Sequence, residues 1–351
     1  MKDHGFFCSE ALDSVKGVFT GFFNRRRFFI IGGFFIAFVL AFSGSYPAYA
    51  TDSIKIAMGY IPNVQFAPYY IALELGYFAR ENLEVTFDYG LATDIMSLVA
   101  KGTVNFGVSD GDQVIIAREK GIPVKVVYTM YVKYPVGIVS LEEKGIKDVR
   151  SLSGKKVGTP GPYGSNYIGL QLLLKSAGMD LEDIELSYIG YTQVENILAG
   201  KVDAAVVFIN NEPVLLRNMG KRVNVIEAYR VTPMVSAAVI AGEKLINDRP
   251  DIVRRFVRAI KKASDYAIKN REQVLNIIRS SIPTLNEDNL EINRKVLFAS
   301  MELWVDEDIK LHGLGYTSRE DWTESIELMY SMGLIKRKVT PDECFTNEFL
   351  Q

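Results

Sequence analysis

Aromatic, amide and carboxyl side chains recur in four short segments of the chain, at residues 60–66, 109–113, 159–166 and 208–212. The candidate ligand-contacting residues in these segments are Tyr60, Asn63, Gln65, Phe66, Ser109, Asp112, Tyr163, Gly164, Ser165, Asn166, Phe208, Asn211 and Glu212. Aromatic rings offer flat faces for stacking, and amides can both donate and accept hydrogen bonds. None of the four segments contains lysine or arginine, so an anion there would depend on backbone N–H groups at helix starts. The segments favour a flat, largely neutral heteroaromatic ligand over a sulfonate, phosphate or nitrate.

Each segment also has a purely structural explanation. Asn63 follows a proline and can set a turn. Asp112 can cap the helix predicted to follow it, and Glu212 can belong to an ordinary helix start. Tyr131 and Tyr134 complete the candidate set at the end of a predicted strand, where the following proline makes a turn an equal explanation. Both interpretations stay open for these residues.

Histidine and cysteine each occur only twice in the 351 residues. His4 and Cys8 lie in the first fifty residues, which leaves His312 and Cys344 for the rest of the chain. A Ser-His-Asp triad would need His312, and the usual zinc sites need several histidine or cysteine ligands. His312 lies in a predicted glycine-containing loop, where a solvated imidazole is the simpler interpretation. We therefore expect no enzyme, no catalytic residues, no metal site and no cofactor.

The composition is that of an ordinary globular protein, with 48% hydrophobic and 23% charged residues. The formal net charge is −2, so no basic field exists to attract nucleic acid. Nucleic-acid binding is therefore not expected.

Residues 1–50 have the pattern of an export signal. Three arginines at 25–27 precede an apolar run over residues 28–42, and the segment ends in Ala48-Tyr49-Ala50. This pattern predicts cleavage after Ala50 and a periplasmic or other extracytoplasmic location. Two alternatives stay open: export by the twin-arginine route, and an uncleaved signal that tethers the protein to the membrane.

Short β-branched segments alternate with amphipathic ones from Ser53 onward, which predicts an α/β fold around mostly parallel sheets. The predicted strands cover residues 54–58, 83–87, 105–108 and 124–131, then 155–158, 184–188, 204–208, 223–226 and 235–241. The predicted helices between them cover residues 67–75, 94–100, 112–119, 166–177, 192–199 and 211–219. After residue 241 the pattern predicts a helical C-terminal tail, with helices at 249–270, 272–280, 288–304 and 319–332.

The two α/β sets predict two lobes. Extended apolar segments at 136–141 and 231–241 connect the sets, so the chain would cross between the lobes twice. We assign residues 53–137 and 238–351 to lobe I and residues 138–237 to lobe II. A small ligand would bind in the cleft between them and be held by closure of the lobes about the crossing segments.

Motifs spread over residues 54–350 resemble those of one protein family. They include Gly59-Tyr60-Ile61-Pro62-Asn63, Leu75-Gly76-Tyr77-Phe78, Val104-Asn105-Phe106-Gly107-Val108, Leu152-Ser153-Gly154-Lys155-Lys156-Val157-Gly158 and Phe345-Thr346-Asn347-Glu348-Phe349-Leu350. In this order they resemble the sulfonate-binding and thiamine-pyrimidine-precursor-binding (NMT1/THI5-like) solute-binding proteins of ABC transporters. The resemblance implies the periplasmic binding protein type II fold, with two mixed sheets flanked by helices and a helical tail. It also implies a permease and an ATPase as membrane partners, and we expect a monomer.

The resemblance leaves three ligand or activity classes open. The start Pro62-Asn63-Val64-Gln65-Phe66 and the segment 109–113 resemble binding proteins proposed to take up riboflavin. The pyrimidine-precursor binders usually carry a histidine where this chain has Gln65 or Phe66. Sulfonate binding is a second alternative, and a THI5-like pyrimidine synthase is the alternative of a different class. That enzyme type relies on a histidine in the first loop and a cysteine-rich motif, and this chain has neither.

Overall fold

A computed structural model describes residues 51–90 and 94–351 of the protein. The predicted export signal lies outside the described residues. Within the described part of the chain, no helix combines the length and the apolar character that a membrane crossing requires.

The first sheet has five strands in the order β2-β1-β3-β10-β4. The strands are β1 (Asp52–Ala57), β2 (Leu83–Asp88), β3 (Phe106–Asp110), β4 (Val124–Thr129) and β10 (Ala237–Gly242). β1 pairs in parallel with β2 and β3, whereas β10 runs antiparallel to both β3 and β4. The sheet is therefore mixed, as the resemblance implied.

The second sheet has five strands in the order β7-β6-β8-β5-β9. They are β5 (Val136–Leu141), β6 (Lys156–Thr159), β7 (Glu185–Tyr188), β8 (Ala204–Phe208) and β9 (Val223–Glu227). β6 pairs in parallel with β7 and β8, and β5 runs antiparallel to β8 and β9. In both sheets the antiparallel strand in fourth place is the first strand after the chain arrives from the other sheet.

The two crossings lie just before β5 and just before β10. The apolar segment 136–141, expected to connect the lobes, is β5 itself and pairs along its length with β8 and β9. The predicted lobe boundary after residue 137 consequently falls inside β5, and the one after residue 237 falls at the first residue of β10. The chain between the two sheets therefore consists of residues 130–135 and 228–236, each beginning ahead of the segment expected from the sequence.

Helices connect and cover the strands. Those between strands are α1 (Ala67–Glu74), α2 (Tyr77–Arg80), α3 (Ile95–Ala100), α4 (Gly111–Glu119), α5 (Gly164–Ser176), α6 (Gln193–Leu198) and α7 (Glu212–Asn218). The C-terminal part holds α8 (Glu243–Asp248), α9 (Pro250–Lys269), α10 (Val274–Ile278), α11 (Leu290–Met301), α12 (Glu307–His312), α13 (Arg319–Ser331) and α14 (Pro341–Cys344). The predicted helical tail is confirmed.

The helix α9 shows why the tail folds against the first sheet. Pro250 occupies its first turn, where the missing N–H costs no hydrogen bond. Its buried residues recur at three- and four-residue spacing and include Val253, Phe256 and Ile260. Phe256 stacks on Phe106 of β3 at a centroid distance of 4.0 Å. The apolar stripe of the tail thereby completes the core over one face of that sheet.

One local expectation was wrong. His312 is the last residue of the helix α12 and does not lie in a loop. The short apolar repeat Ile309-Lys310-Leu311 gave too few periodic positions to indicate a helix. The imidazole is exposed and stacks on Tyr316 at a centroid distance of 4.2 Å.

Candidate ligand-binding site

A cavity of about 510 Å³ lies where strand ends of both sheets meet. Its walls come from the segments after β1, β3, β6 and β8, which are the four segments that the sequence singled out. Since the carboxyl ends of parallel strands share one edge of a sheet, side chains that follow them converge. The volume falls within the range of about 300–1,000 Å³ typical of small-molecule sites.

Most of the predicted site residues line this cavity. Those that do are Tyr60, Gln65, Phe66, Ser109, Tyr131, Tyr163, Gly164, Ser165, Asn166, Phe208, Asn211 and Glu212. Gly164 begins α5 with φ of +72°, a conformation that side-chain-bearing residues rarely adopt. A Cβ there would meet no protein atom within 4 Å, so the turn conformation is what requires glycine at this position within the protein itself.

The structure does not bring three predicted residues to the cavity. The Asn63 side chain accepts a hydrogen bond from the backbone N–H of Gln65 at 3.0 Å, which is the structural role left open above. Asp112 and Tyr134 are fully buried beside the cavity, with the Tyr134 hydroxyl donating to Asp112 Oδ2 at 2.8 Å. Both contribute to the support of the wall rather than to its surface.

Sequence reasoning missed several residues of the wall. They are Met58, Gly59, Tyr69, Ile95, Met96, Val108, Asp110, Gln113, Met130, Pro160, Tyr191, Gln193 and Ala237. Asp110 and Gln113 lie inside a predicted segment, and Tyr191 follows β7, so the rule that found the other segments could have found them. Ile95 and Met96 begin α3 and carry no polar or aromatic signal.

Aromatic rings from both sheets meet at the cavity wall. Tyr60 follows β1 of the first sheet and Tyr191 follows β7 of the second, and their ring centroids lie 5.7 Å apart at 61°. Tyr163 and Tyr191 keep 52% and 45% of their surface exposed, as expected for side chains at a cavity mouth. Phe66 meets Tyr69 edge to face at 6.2 Å. These rings offer stacking surfaces to a flat molecule.

Glu212 supplies a carboxyl group at the start of α7. Its Oε2 accepts a hydrogen bond from the backbone N–H of Phe208 at 3.1 Å, and the Asn211 amide donates to Oε1 at 3.1 Å. Burial nevertheless raises the pKa of the Glu212 carboxyl to about 7. Burial, and then the Glu212 charge, raise the pKa of Tyr60 to about 12. The carboxyl can therefore accept a hydrogen bond when ionised or donate one when protonated near neutral pH.

Hydrogen bonds also join the two sheets around the cavity. The Asn210 amide, after β8, donates to Gln65 Oε1 at 2.9 Å and to Ser300 Oγ of α11 at 2.8 Å. Ser165 Oγ of α5 lies within hydrogen-bond distance, 2.7 Å, of Asp110 Oδ2 of β3. The carbonyl oxygen of the Asn210 side chain and that of Asn166 are buried without a partner among the described residues. Asn166 lines the cavity, so its oxygen is an acceptor that a ligand N–H could satisfy.

The described residues of the wall include no lysine, arginine or histidine. The acceptors there include the carboxyl groups of Asp110 and Glu212 and the side-chain oxygens of Gln65, Asn166 and Asn211. In the part of the chain that the structure covers, no three His, Cys, Asp or Glu side chains cluster so as to hold a metal ion. The site is equipped to bind N–H and O–H donors on an aromatic framework.

Comparison with known proteins places this site in a family. A sequence model described as NMT1/THI5 like matches residues 63–274, which is more than half of the chain. The protein belongs to the NMT1/THI5-like family. The matched segment of this NMT1/THI5-like protein carries the wall residues from Gln65 to Ala237.

Relatives of this NMT1/THI5-like protein are named for different activities. The riboflavin-binding protein RibY of Chloroflexus aurantiacus is 35% identical, over 85% of this chain and 86% of its own length. The formylaminopyrimidine-binding protein of Halalkalibacterium halodurans is 26% identical, over 85% of this chain and 91% of its own. The 4-amino-5-hydroxymethyl-2-methylpyrimidine phosphate synthase of Legionella pneumophila is 23% identical, over 85% and 92%. Membership of the NMT1/THI5-like family alone therefore does not decide between binding and catalysis.

A solved structure shows the fold of this NMT1/THI5-like chain. The periplasmic aliphatic sulphonate binding protein SsuA from Escherichia coli matches it with a TM-score of 0.63 at 15% identity, covering 86% of this chain and 99% of that one. The predicted periplasmic binding protein type II fold is thereby confirmed.

Proposed function

We propose that the protein is the extracytoplasmic substrate-binding subunit of an ABC importer and that it captures a flat heteroaromatic vitamin or vitamin precursor. Riboflavin or a thiamine pyrimidine precursor are the ligands in view. The observation that carries this proposal is the composition of the cavity wall, with aromatic rings and hydrogen-bond acceptors and, among the described residues, no cationic side chain.

The wall chemistry favours a heteroaromatic over a sulfonate. An anionic sulfonate would lie beside the Asp110 and Glu212 carboxyl groups, where an ionised carboxylate repels it. A heteroaromatic with N–H groups can stack on Tyr60 or Tyr191 and donate to these acceptors. The relatives named for riboflavin and formylaminopyrimidine binding support the same ligand class.

Capture by closure follows from the cavity's position between the two sheets. In the proposal, lobe I comprises residues 53–137 and 238–351, and lobe II comprises residues 138–237. The short crossings before β5 and β10 would act as the hinge. A membrane permease and its ATPase would receive the ligand from the closed protein.

A binding protein is better supported than an enzyme, the other activity named among the relatives. His312 lies exposed on α12, and Cys344 is buried in the core beside α13, so neither lines the cavity. Burial raises the pKa of the Cys344 thiol to about 12, which keeps it in its unreactive form.

A ligand panel tests the proposal. Thermal unfolding of the purified protein, followed by circular dichroism, is measured with riboflavin, aminopyrimidines and alkyl sulfonates. A ligand that binds the folded state raises the apparent melting temperature by mass action. We expect riboflavin or a pyrimidine to raise it. A shift with sulfonates alone would overturn the ligand class, and a chemically altered ligand after incubation would favour the enzyme.

A further inference from the structure

One serine hydroxyl joins the two sheets by touching two carboxyl groups. Ser165 lies at the start of α5, beside the second sheet, and its Oγ is 2.7 Å from Asp110 Oδ2 and 2.9 Å from Asp112 Oδ1. Asp110 ends β3 of the first sheet and Asp112 lies in the first turn of α4. Tyr134 adjoins the group from the crossing before β5, with its hydroxyl 2.8 Å from Asp112 Oδ2 and 2.9 Å from the Ser165 carbonyl oxygen.

The number of hydrogens does not match the number of these contacts. The Tyr134 hydroxyl can share its hydrogen between Asp112 Oδ2 and the Ser165 carbonyl oxygen, whereas Ser165 Oγ faces two carboxyl oxygens at 2.7 and 2.9 Å and can donate to only one of them. The hydroxyl groups of Ser165 and Tyr134 bring one hydrogen each. If both carboxyl groups were ionised, Ser165 Oγ would face one carboxylate oxygen with no hydrogen between them. A proton on Asp110 lets that carboxyl donate to Ser165 while Ser165 donates to Asp112.

The surroundings favour one negative charge and not two. Asp112, Ser165 and Tyr134 are at least nine-tenths buried. Burial and, to a lesser extent, the charge of Asp110 raise the pKa values of Tyr131, Tyr134 and Tyr191, and these neighbouring hydroxyl groups supply no positive charge to the pair. The starts of α4 and α5 point partial positive charge at the pair, and the Gln113 N–H donates to Asp112 Oδ1 at 2.6 Å. These groups stabilise an ionised Asp112 and leave Asp110 to carry the proton.

The direction of titration agrees with this geometry. Burial, and then the neighbouring Asp112 charge, raise the pKa of Asp110 above the usual range of aspartate. Burial likewise raises the pKa of Asp112, against the hydrogen bonds from Tyr134, Ser165 and Gln113 that lower it.

We propose that the carboxyl groups of Asp110 and Asp112, bridged by Ser165, form a proton-binding site between the two sheets, so that joining the sheets around a ligand takes up one proton. This inference rests on the proposed function, because it assumes that capture of a ligand brings α5 against β3. Asp110 also lines the cavity, so the proton sits at the wall of the ligand site itself.

The sign of the coupling follows from linkage. A carboxyl that is protonated in the joined arrangement and solvated in the separated one has its pKa raised by joining. Affinity is then fully present below the separated-state pKa and falls as pH rises towards the joined-state pKa, by up to about tenfold per pH unit between them. Above the joined-state pKa the affinity levels off at its low value.

Isothermal titration calorimetry with riboflavin tests this coupling. The binding enthalpy is measured at pH 7 in two buffers of different ionisation enthalpy, and the difference gives the number of protons bound. The wild-type protein should bind as many as one proton with each ligand. Asp110→Asn should remove this uptake and flatten the pH dependence, because its amide donates N–H to Ser165 without titrating. Asp288→Asn, at an exposed aspartate far along the chain in the tail, is the matched control and should behave as wild type.

A second measurement separates this inference from the proposed function. The aspartate carboxyl carbons are followed by ¹³C NMR as a function of pH, with and without the ligand that the thermal-unfolding panel selects. One signal absent from Asp110→Asn should titrate in the ordinary aspartate range without ligand and above that range with ligand. A panel in which no heteroaromatic binds contradicts the proposed function. A ligand that binds while this signal keeps its ordinary range, or an Asp110→Asn variant that takes up as many protons as wild type, would overturn the inference alone.

Discussion

Glu212 has a carboxyl group whose protonation is linked to folding. Because its pKa rises from an ordinary value to about 7 on burial, the folded chain binds a proton more tightly than the unfolded chain. The contribution of Glu212 to stability is therefore lost as pH rises from about 4.5 through 7. Glu212→Gln removes this titration, so the variant should gain about 1–3 kcal/mol relative to wild type between pH 5 and pH 8.

Urea unfolding at both pH values measures that gain. The matched control is Glu348→Gln, an exposed glutamate near the C-terminus, which should follow wild type. An unchanged difference between Glu212→Gln and wild type at the two pH values would show that this carboxyl stays solvated.

Substitution of two tyrosines near the end of β7 tests whether stacking on a cavity ring contributes to binding. Tyr191 lines the cavity, whereas Tyr188 is 56% exposed and does not. Tyr191→Ala should weaken riboflavin binding by about tenfold, since an aromatic contact contributes about 0.5–1.5 kcal/mol beyond the area it buries. Tyr188→Ala should leave the dissociation constant unchanged in the same fluorescence titration. Equal effects of the two changes would place the ligand elsewhere.

Individual side chains were harder to place from sequence than the segments that hold them. Asp110 and Asp112 are two residues apart, and which one faces the cavity depends on where β3 ends and α4 begins. The helix begins at Gly111, one residue earlier than predicted, so Asp112 falls within its first turn and is buried. Asn63 carried a turn signal and a binding signal at once, and its side chain follows the former.

At the scale of elements, hydrophobic periodicity predicted the long helices and the strands, most of them within two residues. Helices of four to six residues contain few apolar repeats, so the pattern found α3, α6 and α10 but missed α2, α8, α12 and α14. The pairing of β5 and β10 was also out of reach, since an apolar extended segment reads the same whether it joins two lobes or lies within a sheet. An apolar sequence shows only that a segment is buried, and both kinds of segment are buried.

The tail helices should contribute stability through their buried stripe and not through exposed apolar residues. Leu297 of α11 is fully buried in the core beside the first sheet, whereas Leu311 of α12 is 77% exposed. Leu297→Ala should lower the free energy of unfolding by about 2–5 kcal/mol. The same substitution at Leu311 should change it by no more than about 0.5 kcal/mol. Chemical denaturation measures both, and similar losses would contradict the packing of the tail described above.

For the whole molecule, the proposed capture by closure predicts a change of shape. Small-angle X-ray scattering should give a smaller radius of gyration with saturating riboflavin than without it, because closure brings the lobes together. An alkyl sulfonate at the same concentration is the control and should leave the radius unchanged. An unchanged radius with bound riboflavin would mean that the ligand enters a cleft that is already closed.

The strand order has a consequence for how the chain can be made. β10 lies between β3 and β4, yet it is synthesised after every strand of the other sheet. A nascent chain that has emerged only as far as Glu227 therefore displays β3 and β4 with unfilled edges. Such edges pair readily with strands of other molecules. Because β10 is synthesised last, the N-terminal half keeps unpaired strand edges until synthesis is nearly complete. We expect a chaperone to bind this half during that time.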